Sequence, residues 1–105
     1  MSDRKPTAAM AANAERGLKL REQHNRGGTE VGVNRARQLA AREPLSDDDV
    51  KSMYSYFARH EVDKQAPHFG DRDEPSAGYI AWLLWGGDEG KAFIDREHAK
   101  MEADA

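Results

Sequence analysis

Apolar and polar positions recur with a helical period along nearly the whole chain, and no stretch shows the strict alternation of a half-buried strand. A first helix is predicted to begin near Pro6, a favourable first-turn residue, and to run through Met10, Ala14, Leu18 and Arg21 until His24-Asn25-Arg26-Gly27-Gly28 stops it. Its apolar stripe is thin and mostly alanine. Thr29 is placed to cap a second helix, in which Val33, Ala36, Leu39 and Ala40 fall at helical spacing and which Pro44 is expected to end. Ser46 with Asp49 three residues later reads as a capping box, built with the shorter acid, for a third helix over 47–61. There Val50, Met53, Tyr54 and Phe57 stand at i, i+3, i+4 and i+7, the clearest amphipathic face in the chain and the sign of a core helix. Asp47, Asp48 and Asp49 crowd its first turn, where the helix dipole favours negative charge. A polar connection over 63–75 follows, kept from regular structure by Pro67, Gly70 and Pro75 and long for a small domain. Ser76 then caps a short fourth helix over 79–85, Gly86-Gly87 breaks it, and Asp88 opens a fifth that continues through Phe93, Ile94 and Met101.

The stretch PSAGYIAWLLWGGDEG at 75–90 holds both tryptophans of a chain that is 33% charged and only 8% aromatic. A run apolar on every side either threads the middle of the fold or presents a hydrophobic face to a partner. Tyr79, Trp82 and Trp85, with Phe57 and Tyr54, are therefore the expected anchors of a core or an interface. At 105 residues the chain fits one domain, expected over 6–101 between flexible ends at 1–5 and 102–105. The fold class is all-α, a compact bundle of about five short helices with a helix-turn-helix-like pair, the second and third, and a long polar loop.

Charge divides the chain. Residues 1–42 carry nine Lys/Arg against four Asp/Glu, a net of +5, while 43–105 carry seven against fifteen, a net of −8. The halves can attract each other or neighbouring copies, or the first can offer a basic face to nucleic acid. With no cysteine, disulfides and thiolate zinc sites are excluded, which suits a reducing compartment. The longest apolar run, at 80–85, is far shorter than the roughly 20 residues of a membrane span, and the start has no long apolar stretch, so an untargeted protein away from membranes is expected.

Catalytic constellations are sparse. Gly86-Gly87-Asp88-Glu89-Gly90 follows a helix instead of a strand and lacks the phosphate-binding lysine and hydroxyl, so it reads as a turn. Arg26-Gly27-Gly28-Thr29 could aim backbone amides at a phosphate, but Glu30 occupies the same helix end. His60, Asp63, His68, Asp71, Asp73 and Glu74 are dense in ligand atoms, yet their spacing matches neither a zinc helix nor a calcium loop. Ser55 and His60 lack a nucleophile elbow. No enzyme, cofactor or metal is expected.

Nucleic acid has more support. The second and third helices resemble a helix-turn-helix, with Arg16, Lys19, Arg26, Arg35, Arg37 and Arg42 as the candidate phosphate contacts. Three aspartates open the would-be recognition helix, so helices one and two are better placed to touch DNA than helix three.

Four segments in order, RGLKLRE at 16–22, GGTEVGVNRARQL at 27–39, LSDDDVKSMYSYFARHEVDK at 45–64 and PSAGYIAWLLWGGDEG at 75–90, resemble a small domain encoded by tailed bacteriophages and related large DNA viruses. The resemblance covers roughly residues 8–95. In that family the domain stands alone or is attached to head-assembly proteins such as prohead proteases, with no enzymatic activity assigned to it. Where family members often carry an aromatic residue and a basic tail, this chain has Ala92-Phe93-Ile94 and a more acidic end. The resemblance implies a virion-associated or assembly-associated adaptor acting by protein–protein contacts, its partners other viral proteins and further copies of itself, in the host cytoplasm and the virion. The alternative is a DNA-associated accessory protein using the arginine-rich helices.

Overall fold

The computed structural model describes residues 4–104, and among them the secondary structure is α-helix, one 3-10 turn and connecting loops. The fold is all-α. Five helices follow in order: α1 (Ala8–His24), α2 (Glu30–Ala40), α3 (Asp47–His60), α4 (Ala77–Leu84) and α5 (Gly87–Asp104), with the 3-10 turn Glu61–Gln65 after α3.

Local chemistry sets the ends. Thr29 and Ser76 cap α2 and α4 by accepting the Gly32 and Tyr79 amides. Both halves of the capping box form at α3: Ser46 Oγ accepts the Asp49 N–H at 3.1 Å, and Asp49 Oδ2 accepts the Ser46 N–H at 3.0 Å. Several boundaries differ from expectation, among them α4, which covers Ala77–Leu84 instead of 79–85, and α5, which starts at Gly87. The cap of α1 is Thr7, which leaves Pro6 outside the helix and buried, its carbonyl accepting Arg42 Nε at 2.8 Å. The second helix stops at Ala40, before Pro44, because the chain closes on itself there and Arg42 turns into the left-handed region at φ 56°. The fifth helix runs to Asp104, beyond the expected limit at 101.

Of the ends expected to be flexible, residues 1–3 and 105 lie outside the described residues. Arg4 is anchored: its carbonyl accepts the Leu45 N–H at 3.1 Å, and its guanidinium pairs with Asp47 and lies 3.6 Å from Glu97. Glu97, buried in α5, also receives Lys100 at 3.0 Å. The connection over 63–75 is more ordered than its composition implies. The His68 carbonyl accepts two amides, from Asp71 and Ser76, Asp71 Oδ1 accepts those of Asp73 and Glu74, and Phe69 sets its edge on Tyr79 with centroids 5.0 Å apart.

Helix α4 lies at the centre and touches all four others. One side meets α1 and α2 through small residues: a β-carbon on Gly17 would come within 2.8 Å of the Leu84 backbone nitrogen. The other side carries the rings, Trp82 set edge-on to Phe57 at 4.9 Å and Trp85 stacked on Tyr56 at 4.3 Å. Helix α3 packs mainly on α5, and the backbones of α2 and α3 do not pack on each other although they adjoin in sequence. That pair is joined by Arg35 Nη1 and Gln38 Nε2, which donate to the two Asp49 carboxylate oxygens at 2.7 and 3.0 Å.

Of the expected anchors, Phe57, Trp82 and Trp85 are buried, Tyr79 is half-buried and Tyr54 is exposed at 39%. Tyr54 is therefore no core anchor and instead stacks on His98 at 3.7 Å. Tyr56, at 5% exposure, takes its place. The two tyrosines flank the Val50–Met53–Phe57 stripe on opposite sides, and α4 and its tryptophans cover the Tyr56 side.

Candidate functional site

Helix α3 presents Ser52, Tyr56, Arg59 and His60 along one stripe, facing Ala77, Gly78 and Ala81 of α4 and Trp85 at its C-terminal end. The N-terminus of α2 closes one end with Gly28, Thr29 and Val31, so the three helices enclose an open cleft of about 530 Å³. Its floor is narrow because the start of α4 sits tightly against the 3-10 turn: a β-carbon on Gly78 would stand 2.9 Å from the Asp63 β-carbon. Val31 at the mouth is 62% exposed. All these lining positions fall within the segments 27–39, 45–64 and 75–90 on which the resemblance rests.

The wall is a series of stacked rings. Tyr56 stacks on Trp85 and also on His60, the latter at 4.5 Å and 26°. Arg35 sits 5.4 Å from the Trp85 ring centroid, within cation–π range. A carboxylate stands at either end: Asp49 receives Arg35, and Asp63 Oδ2 lies 3.1 Å from His60 Nδ1. Asp49 is partly buried, which by itself would raise its pKa, but Arg35, the Ser46 N–H and Gln38 outweigh that and hold the carboxyl at about 2. Burial above all, and then the charge of Asp63, pushes the Tyr56 phenol well above its ordinary value, against a smaller opposing effect of Arg59. Tyr56 therefore stays a neutral hydroxyl, and that hydroxyl is buried with no hydrogen-bond partner among the described residues.

Behind the wall, Trp82 is tied into the core by a different device. Its indole N–H donates to Asp88 Oδ1 at 2.9 Å, and Lys64 Nζ approaches the same oxygen at 2.7 Å while lying 4.8 Å from the indole centroid. Lys64, then Trp82, hold the Asp88 carboxyl below the usual carboxylate range, with burial opposing. These bonds consolidate the junction of the 3-10 turn, α4 and α5 and leave no free reactive group there.

The six basic positions expected to meet phosphate do not form one surface of free cations. Arg35 has only 12% of its side chain exposed and is bound to Asp49, Gln38 and the Trp85 ring. Arg42 donates to the Pro6 carbonyl, and Arg26 lies 3.9 Å from Glu74. Arg26 and Arg42 are nonetheless exposed, as are Arg16, Lys19 and Arg37, and the last three make no ion pair among the described residues. The expected turn at Gly86-Gly87 is present, with φ of 112° and 68°, and Asn13 Nδ2 donates to the Gly86 carbonyl at 2.9 Å. The histidines of the polar connection form pairs, His60 with Asp63 and His68 with Asp71, and no group of three or more ligand side chains stands together among the described residues.

Sequence reasoning missed Tyr56 and the cleft. A second tyrosine, two residues from the one on the expected stripe, was the available signal. No family model matches the chain, and neither a curated protein nor a solved structure does.

Proposed function

We propose that this protein is a non-enzymatic adaptor of bacteriophage-type virion assembly, working by protein–protein contact in or near the head, in the host cytoplasm and the virion. The observation that carries the proposal is that three of the segments shared with the phage domain converge on one open cleft walled by core aromatics. Buried aromatic rings reaching the surface of a concavity suit anchoring of a partner's side chains. Light scattering on mixtures with head-assembly proteins tests it, the expected result being co-elution at fixed stoichiometry. A strictly monomeric chain that co-elutes with none of them sinks the proposal.

The DNA reading keeps support from Arg16, Lys19 and Arg37, which are exposed and make no ion pair among the described residues. Three phosphate contacts would give a log–log salt slope of about −3 on duplex DNA. Binding that is absent at low salt, or unchanged between about 50 and 200 mM, removes this reading.

A further inference from the structure

We infer that the Arg35 side chain is a latched lid on Trp85: Asp49 and Gln38 hold its guanidinium down, and its release bares the ring and joins the two cavities it separates. The inference goes beyond the adaptor proposal and does not depend on it.

Position comes first. A hollow of about 270 Å³ on α2 is lined by Val31, Asn34, Arg35 and Gln38. Val31 and Trp85 both line the larger cleft beside it, and the Arg35 guanidinium carbon lies 5.4 Å from the Trp85 ring centroid. The guanidinium therefore stands between the hollow and the ring. Tyr56 is stacked on Trp85 at 4.3 Å and Arg35 covers ring surface that Tyr56 leaves, so Trp85 is only 7% exposed although it borders an open cleft.

The latch is polar and small. Arg35 Nη1 donates to Asp49 Oδ1 and to Gln38 Oε1, each at 2.7 Å, and Gln38 Nε2 donates to Asp49 Oδ2 at 3.0 Å. These three side chains close a hydrogen-bonded ring across the gap where the backbones of α2 and α3 do not pack. Water can replace each of its bonds, so undoing the ring takes rotation of one long side chain and no movement of a helix.

The latched pose is also incomplete. Arg35 Nε is buried without an acceptor among the described residues, in a side chain only 12% exposed. A guanidinium N–H left dry opposes the charge-assisted bonds that hold the group down. Swinging outward through the hollow hydrates that N–H and offsets part of what the broken latch loses. Trp85 does not follow. Tyr56 remains stacked on it, and α2 meets its edge so closely at Gly32 that an added β-carbon would stand 3.2 Å from the indole nitrogen. What the swing leaves behind is a fixed aromatic surface opening on the cleft.

The test uses the intact protein labelled with fluorotryptophan, whose two fluorine resonances are assigned with Trp85→Phe and read for their shift between light and heavy water. Arg35→Ala sets the uncovered limit of the Trp85 signal, and the Trp82 signal should not move. Gln38→Ala removes one latch acceptor at a helix position that alanine suits, and should raise the uncovered fraction about tenfold, the loss of one charge-assisted hydrogen bond. Asp49→Asn should do at least as much. Arg35→Lys, which keeps the charge and loses the fork, should fall between the parent and Arg35→Ala. Arg37→Ala, at an exposed position on the same helix, should change nothing. A thermal melt accompanies each variant, and because Asp49 also caps α3, Gln38→Ala carries the test if Asp49→Asn unfolds.

A Trp85 signal as shielded in Arg35→Ala as in the parent overturns the inference, since something else then covers the ring. So does a Gln38→Ala protein whose Trp85 signal stays at the parent position, or one whose Trp82 and Trp85 signals move together, the mark of a loosened core.

Discussion

The two sides of α4 are built on opposite principles. Toward α1 and α2 the contact is made of absence: Gly17, Gly27 and Gly28 let the backbones and the Ile80 and Leu84 side chains come so close that an added β-carbon would stand 2.6 to 2.8 Å from the nearest atom. Toward α3 and α5 it is made of mass, with Tyr56, Phe57, Trp82 and Trp85 in ring-to-ring contact. One eight-residue helix serves both because it is apolar all round. The first seam tolerates no growth and the second no truncation, so an identical change of size should have opposite consequences on the two sides.

The largest expected effect is on the aromatic side. Trp82→Ala should cost about 3–5 kcal/mol in denaturant unfolding. A loss under about 1 kcal/mol would mean that the ring layer is not the principal core. On the other side, Gly17→Ala should destabilise by roughly 1–3 kcal/mol through overpacking against the Leu84 backbone. The sign is diagnostic, because in an isolated helix the same change stabilises by about 1 kcal/mol. A more stable Gly17→Ala protein would show that the seam can open, and the contrast between the two sides would dissolve.

A polar link crosses between the regions, and acid should break it. Asp49 titrates at about 2 in the fold against an ordinary 3.8, so its contribution is fully present above pH 4 and is lost as pH falls through the folded value. With the screening expected of a partly exposed pair, the loss is roughly 1 kcal/mol. Asp49→Asn should remove that part of the acid limb in a stability-versus-pH series, and an unchanged limb would place the titration elsewhere.

The smallest change is Tyr56→Phe, which deletes a buried hydroxyl that has no partner and should leave stability unchanged or raise it by about 1 kcal/mol. A clear loss would show that the hydroxyl is matched in solution.

Three of the helix caps were legible because each is decided within four residues: Thr29, Ser46 with Asp49, and Ser76 cap the helices that follow them, whereas Thr7 at α1 was not read. The choice between Tyr54 and Tyr56 was not, since both border the same stripe and only the placement of α4 decides which is covered. Arg35 read as a free cation for a similar reason. Gln38 lies one turn away on the same helix, but Asp49 and Trp85 reach it only through the tertiary fold. The cleft was the least legible feature, because its walls come from three segments that no local rule brings together. The phage-type resemblance named those segments without showing that they share a surface.

The hydrogen bond from Asn13 to the Gly86 carbonyl joins residues 73 positions apart. During synthesis the chain emerges N-terminus first, so α1 and α2 can pair early while the groove that Gly17 keeps open for Leu83 and Leu84 waits for α4. The later emergence of α4, not the formation of α1 itself, therefore locks the first helix in place. A ribosome stalled before residue 80 would hold a two-helix hairpin with its small-residue seam uncovered, and protection of α1 in pulsed hydrogen exchange should appear only once the tryptophan segment has left the exit tunnel.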